Sequence, residues 1–181
     1  MSDETRKGQL TILSAEEARS RFGDLTSGEF LQAMRAELWD ELRAYHKPEQ
    51  VSDRRALASA LAEVVGIHRT GVLCVTDWGA DTNPIDEYRK SRGEHRSLHE
   101  APVHLFSKTD GEELKCVLDF ALELDWDCFL FDGAFRYLIK LSHDGYVDFT
   151  GSDQNTLKDI LARLAKLRLR SLSIGTTEND R

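Results

Sequence analysis

The feature that most constrains this chain is the stretch 126–149, where three apolar runs are separated by Asp132-Gly133 and Asp144-Gly145. The middle run alternates Phe135, Tyr137, Ile139 and Leu141 with Arg136 and Lys140, the period-two pattern of a strand. Asp-Gly between such runs is a strong hairpin signal, because both residues tolerate positive φ. The sequence therefore predicts strands over 126–131, 135–141 and 146–149, joined as an antiparallel meander.

Helices are expected on either side. Thr109 and Glu112 have capping-box spacing, and Leu114, Val117, Leu118, Ala121 and Leu122 recur as one apolar face. After the meander, Ser152 or Asp153 is placed to cap a last helix in which Leu157, Ile160, Leu161 and Leu164 face the sheet. Arg163, Lys166 and Arg170 fall on its opposite side. Two helices are thus expected to cover one face of the sheet.

The first half reads as a helical pair. Ser14 with Glu17 and Thr26 with Glu29 both fit the capping box. Phe30, Leu31, Met34, Leu38, Leu42 and Tyr45 recur at helical spacing, predicting a helix that reaches His46 and stops at Pro48. Ser52 is placed to cap a second helix with Leu57, Ala60, Leu61, Val64 and Val65 inside and Gly66 at its end, packed antiparallel on the first. Residues 71–76 and 102–107 read as short strands, and 77–101 as a long polar loop of functional character.

The fold class is then α+β: an N-terminal helical pair, followed by a helix, a three-stranded antiparallel meander and a closing helix. One or two extra edge strands would fuse both halves around one core. A single domain is expected over 11–172, made of a helical half at 11–68, a loop-containing middle at 69–108 and a helix-meander-helix at 109–172. Flexible tails are expected at 1–10 and 173–181.

Composition bounds the partners. The 24 Lys and Arg against 32 Asp and Glu leave a net charge of −8, which opposes attraction to phosphate backbones and anionic lipid and favours basic partners. Cys74, Cys116 and Cys128 are odd in number and form no C-x-x-C, so neither disulfides nor a thiolate zinc site is expected. The start of the chain carries no apolar signal segment, and the run 56–67 is broken by Ser59 and Glu63. The expected location is the cytoplasm, with no membrane contact.

Few residues carry recognisable chemistry. His95, His99 and His104 have spacing compatible with a transition metal, but no Glu follows His95 and Arg96 adds a cation, so exposed loop histidines are the simpler reading. Ser142-His143-Asp144 places triad residue types side by side, yet consecutive strand residues point to opposite faces, and turn chemistry accounts for them. Acids crowd 110–127: Asp110, Glu112, Glu113, Asp119, Glu123, Asp125 and Asp127. Trp78, at the start of the long polar stretch, is the tryptophan expected to be exposed, a candidate binding anchor.

The segment Asp125-Trp-Asp-Cys-Phe-Leu-Phe131, followed by Leu141-Ser-His-Asp-Gly-Tyr146, resembles a pattern in small bacterial proteins, some of which are similar to immunity or antitoxin components. That resemblance covers the last third of the chain and implies a bacterial interaction protein without catalytic residues.

The expected function is a non-enzymatic, cofactor-free, cytoplasmic binding module of immunity or inhibitor type. It would hold a basic protein partner through Trp78, Asp81, Asp86, Glu87, Glu123, Asp125 and Asp127. The first alternative is a small metal-dependent hydrolase or nuclease-like enzyme using His95, His99, His104 or His143 with nearby carboxylates. The second is a nucleic-acid accessory factor using Arg163, Lys166 and Arg170 of the last helix.

Overall fold

The apolar run at 71–76 lies near the middle of a seven-stranded, wholly antiparallel sheet. The fold is seen in a computed structural model that describes residues 11–23, 41–66, 70–78, 83–151, 154–167 and 169–170. Its strands are β1 (Thr11–Leu13), β2 (Glu41–His46), β3 (Thr70–Asp77), β4 (Val103–Ser107), β5 (Asp127–Asp132), β6 (Tyr137–Leu141) and β7 (Tyr146–Gly151). They lie in the order β1-β4-β3-β5-β6-β7-β2. Among the described residues five α-helices accompany them: α1 (Ala15–Phe22), α2 (Val51–Gly66), α3 (Asn83–Ser91), α4 (Gly111–Glu123) and α5 (Gln154–Leu164).

Strand alternation divides the interior into two layers. Leu73, Val75, Phe106, Cys128, Leu130, Tyr137, Ile139, Leu141, Val147 and Phe149 point to one side, where they meet Leu57, Leu61, Val64 and Val65 of α2 and Leu114, Val117, Leu118, Ala121 and Leu122 of α4. Val72, Cys74, Val103, Leu105, Phe129, Phe131 and Leu138 point to the other, where Ala18 and Phe22 of α1 pack. All five residues of the predicted α4 face are buried. At Gly71 the sheet and α2 approach so closely that a Cβ there would stand 2.1 Å from Val65 Cγ1.

Several local signals are realised as read. Ser14 and Glu17 form both halves of a capping box: Glu17 N donates to Ser14 Oγ at 3.1 Å, and Ser14 N to Glu17 Oε2 at 2.6 Å. The β6–β7 link closes through Gly145 N donating to Ser142 O at 3.1 Å, with Gly145 at φ 81°. Asp144 does not share that positive φ, and in the β5–β6 link the positive φ falls on Phe135 (53°) and not on Asp132 or Gly133. In each link a type I turn followed by one left-handed residue therefore replaces the two-residue Asp-Gly turn.

Elsewhere the structure corrects the sequence reading. Residues 41–46 are an edge strand, paired with β7 from Glu41↔Gly151 to His46↔Tyr146, and not the end of a helix. Leu42 and Tyr45 fit helical spacing, but pairing to β7 satisfies the backbone, and Tyr45 packs edge-on against Phe149 with centroids 5.7 Å apart. Residues 41–46 therefore take no part in the predicted helical pair, and α2 packs on α4. Ser52 lies inside α2 rather than capping it.

The expected meander is not a separate module. β5, β6 and β7 do pair in chain order, but β5 continues into β3 and β7 into β2, so the helix-meander-helix unit dissolves into one sheet with helices on both faces. The predicted Thr109–Glu112 cap is replaced by Asp110, which makes no side-chain cap bond and instead accepts from the Ser107 N–H and Oγ–H, each at 2.7 Å. The Thr26 capping box, the stripe from Phe30 to Leu38, and Ser152 and Asp153 lie outside the described residues.

The stretch 77–101 is not a loop throughout, since it contains α3. A polar helix forms here because two of its side chains are driven inward: Ile85 and Arg89 are fully buried. Arg89 Nη2 donates to Ala101 O at 2.8 Å, fastening α3 to the turn that leads into β4. Arg96 ties the same turn to β1, donating to Ile12 O at 2.9 Å and pairing with Glu94 and Glu17. Among the described residues no helix is long and apolar enough to cross a membrane.

Candidate functional site

Antiparallel pairing brings the end of β3, the start of β5 and the β6–β7 turn together at one end of the sheet. The β3–β5 register is regular to Val75↔Cys128 and then shifts, so that Asp77 rather than Thr76 stands opposite Asp127. Such a bulge re-aims side chains, and here it sets two carboxylates directly across from one another, a pairing that is repulsive by itself. The turn delivers His143 to the same place, its Nδ1 lying 3.0 Å from Asp127 Oδ2 and its backbone N–H donating to Asp127 Oδ1 at 2.8 Å. Asp127, with a side chain only 18% exposed, is the fixed centre of this group.

Two more carboxylates border it. Asp144 Oδ1 lies 3.4 Å from His143 Nε2, and Asp125, held at φ 54°, forms an ion pair with Lys47. The Lys47 side chain is 8% exposed and Asp125 61%, so this pair joins a largely covered lysine side chain to a surface acid. The hydrogen bond to Asp127, with the charges of Asp127, Asp144 and Asp77, raises the His143 pKa above its ordinary 6.5. One ligand atom each from Asp77, Asp127 and His143 lies within 4.8 Å of the others, the one such trio of His, Cys, Asp or Glu among the described residues.

The predicted binding residues divide. Asp125 and Asp127 belong to this end of the sheet, and Trp78 follows Asp77 directly. Trp78 is half-buried rather than exposed: it packs on the helix-side core, and its Nε1 donates to His99 Nε2 at 2.9 Å. Asp86 accepts from Leu98 N at 3.0 Å and faces Arg89, a structural use of that carboxylate. Glu87 is exposed and pairs with Lys90, and Glu123 is exposed at the end of α4. Asp81 lies outside the described residues.

The histidines proposed for metal binding do not converge. His95 is exposed, His99 stacks edge-on against Trp78 with centroids 4.4 Å apart, and His104 is fully buried in β4 beside Phe106. Burial, then the charge of Arg89, pushes the His104 pKa down to about 3. The Ser142 hydroxyl is committed to the turn, accepting from Asp144 N at 3.2 Å, while the imidazole of His143 turns to Asp127. No hydrolase triad is assembled from these three residues.

Sequence reasoning missed Asp77 and the pairing of His143 with Asp127. The signal was present only as two strand ends, 76–77 and 126–127, whose adjacency depends on a pairing 50 residues apart in the chain. The basic residues Lys166 and Arg170 are exposed and, with Lys47, Arg54 and His46, line a groove of about 1240 Å³ beside the start of α2.

Taken together, the fold defines a mixed α+β protein built on a seven-stranded antiparallel sheet, with an acidic, histidine-bearing site at one end. Comparison with known protein families, with curated proteins and with solved structures finds no match in any of the three.

Proposed function

We propose that this chain is a non-catalytic cytoplasmic binding module of the bacterial immunity or inhibitor type, which docks a basic protein partner on the acidic end of its sheet. The observation that carries this reading is the convergence of Asp77, Asp125, Asp127 and Asp144 from three separate segments onto one end of a rigid sheet. With a net charge of −8 behind it, such a surface steers cationic partners and repels polyanions. Trp78 adds an apolar flank beside Asp77, already held in place by His99.

The test starts from the tagged full chain and a partner captured from a bacterial host at low salt. Affinity for that purified partner is expected to weaken steeply from low to physiological salt and to fall when Asp125, Asp127 and Asp144 become Asn. A captured protein whose affinity ignores both salt and these substitutions would remove the proposal.

A further inference from the structure

We infer that Asp77, Asp127 and His143 form a binding site for one divalent transition-metal ion of the Mn²⁺, Fe²⁺ or Zn²⁺ class. The inference goes beyond the docking proposal and does not rest on it. Two carboxylates and an imidazole are a mixed oxygen and nitrogen donor set that suits these ions, whereas Mg²⁺ and Ca²⁺ prefer all-oxygen shells.

Three observations bear on it. First, the three donor atoms lie within 4.8 Å of one another. Donors about 2.1 Å from a common ion stand at most about 4.2 Å apart. A small rotation of the exposed Asp77 and His143 side chains would close that gap toward Asp127, the half-buried member of the trio.

Second, the β3 bulge is what makes the set. Without it Thr76 would face Asp127, and the hydroxyl of Thr76 is instead used to bond the Asp127 carbonyl at 3.2 Å. The shift creates a direct cross-strand pair of like charges, a destabilising arrangement that a cation beside both would relieve. A divalent ion held by the imidazole and both carboxylates would place positive charge between them.

Third, the imidazole is aimed before any ion arrives. The His143 backbone N–H is fixed to one oxygen of Asp127 and its Nδ1 to the other, so the turn presents the ring to the carboxylates. Metal and proton would then compete for the same nitrogen, and affinity should fall as pH drops. Three protein donors leave the remaining coordination positions to water, and Asp144 stands on the far side of the ring, 3.4 Å from Nε2, as an outer partner that orients it.

The experiment is titration of the full chain, stripped with chelator, with Mn²⁺, Zn²⁺ and Ca²⁺ by calorimetry at pH 7.5 and 5.5. Expected are one site per chain for Mn²⁺ or Zn²⁺, weaker binding at the lower pH, and a loss of at least about tenfold in His143→Ala and in Asp77→Asn, since even outer-shell changes cost about 10–100-fold. Asp125→Asn, which removes a bordering acid and no member of the trio, should lower metal affinity far less than the trio substitutions. Mn²⁺ should also broaden the NMR signals of the His143 ring in the unaltered protein. Absence of saturable binding, binding indifferent to His143→Ala and Asp77→Asn, or broadening at His95 or His99 in place of His143 would overturn the assignment. A metal failure with partner affinity still lost in Asp125→Asn would leave the docking proposal standing by itself.

Discussion

Acidification between pH 7 and 5 should weaken this fold through His104. Its ring is fully buried beside Phe106 in β4, and burial and the nearby Arg89 outweigh the Pro102 backbone and the Glu94 charge, which favour a proton. The native pKa therefore sits at about 3, while the unfolded chain titrates at the ordinary 6.5. Between those values the unfolded state holds the extra proton, so stability falls as pH drops, by about 1.4 kcal/mol per unit. From pH 7 to pH 5 the loss from this one residue comes to about 2 kcal/mol. Urea unfolding of the wild type and of His104→Leu at pH 7, 6 and 5 measures it directly. The variant should be no less stable at pH 7, because an apolar side chain removes buried polar atoms that make poor hydrogen bonds, and its stability should decline by about 2 kcal/mol less on going to pH 5. Parallel pH profiles for the two proteins would refute the reasoning, and would mean that the imidazole reaches water or a proton acceptor in the folded state.

The close approach of β3 and α2 predicts that Gly71→Ala costs about 2–3 kcal/mol, since the new methyl meets the stiff, buried Val65. Combining it with Val65→Ala should recover at least about 1 kcal/mol relative to the sum of the single changes, whereas strict additivity in denaturant unfolding would contradict that packing. Ser14→Ala removes one half of the α1 capping box and should cost about 1 kcal/mol, with faster amide exchange confined to α1. His143, whose pKa is raised, contributes stability that is complete below 6.5 and disappears as pH climbs through its folded value. NMR titration of its ring should show the raised pKa and its return toward 6.5 in Asp127→Asn; an unchanged midpoint would remove Asp127 as the cause.

Legibility in the sequence followed the range of the interaction. The α4 face was readable because five apolar residues within 9 positions share one side of one helix, and each is buried. The Ser14 box was readable because both partners lie three residues apart. The strand at 41–46 was not, because Leu42 and Tyr45 satisfy a helical period as well as they satisfy a strand, and the deciding partner, β7, begins 100 residues later at Tyr146. Helix α3 was hidden for a related reason: its fully buried residues are Ile85 and Arg89, with Tyr88 half-buried beside them, and an arginine does not announce burial.

The candidate site divides along the same line. Asp125, Asp127 and the turn at 142–145 could be named from sequence, because an Asp-Gly turn and a strand start are local events. Asp77 and the role of His143 could not. Their meeting requires β3 to pair with β5 across 50 residues, with a one-residue register shift that sets Asp77 rather than Thr76 opposite Asp127. By itself, then, the sequence determined which segments would be helix or strand wherever periodicity and turn chemistry agreed. Only the tertiary structure decided which strand ends became neighbours, because strand pairing is settled by burial on both faces of the sheet, and each strand's own pattern is compatible with several partners.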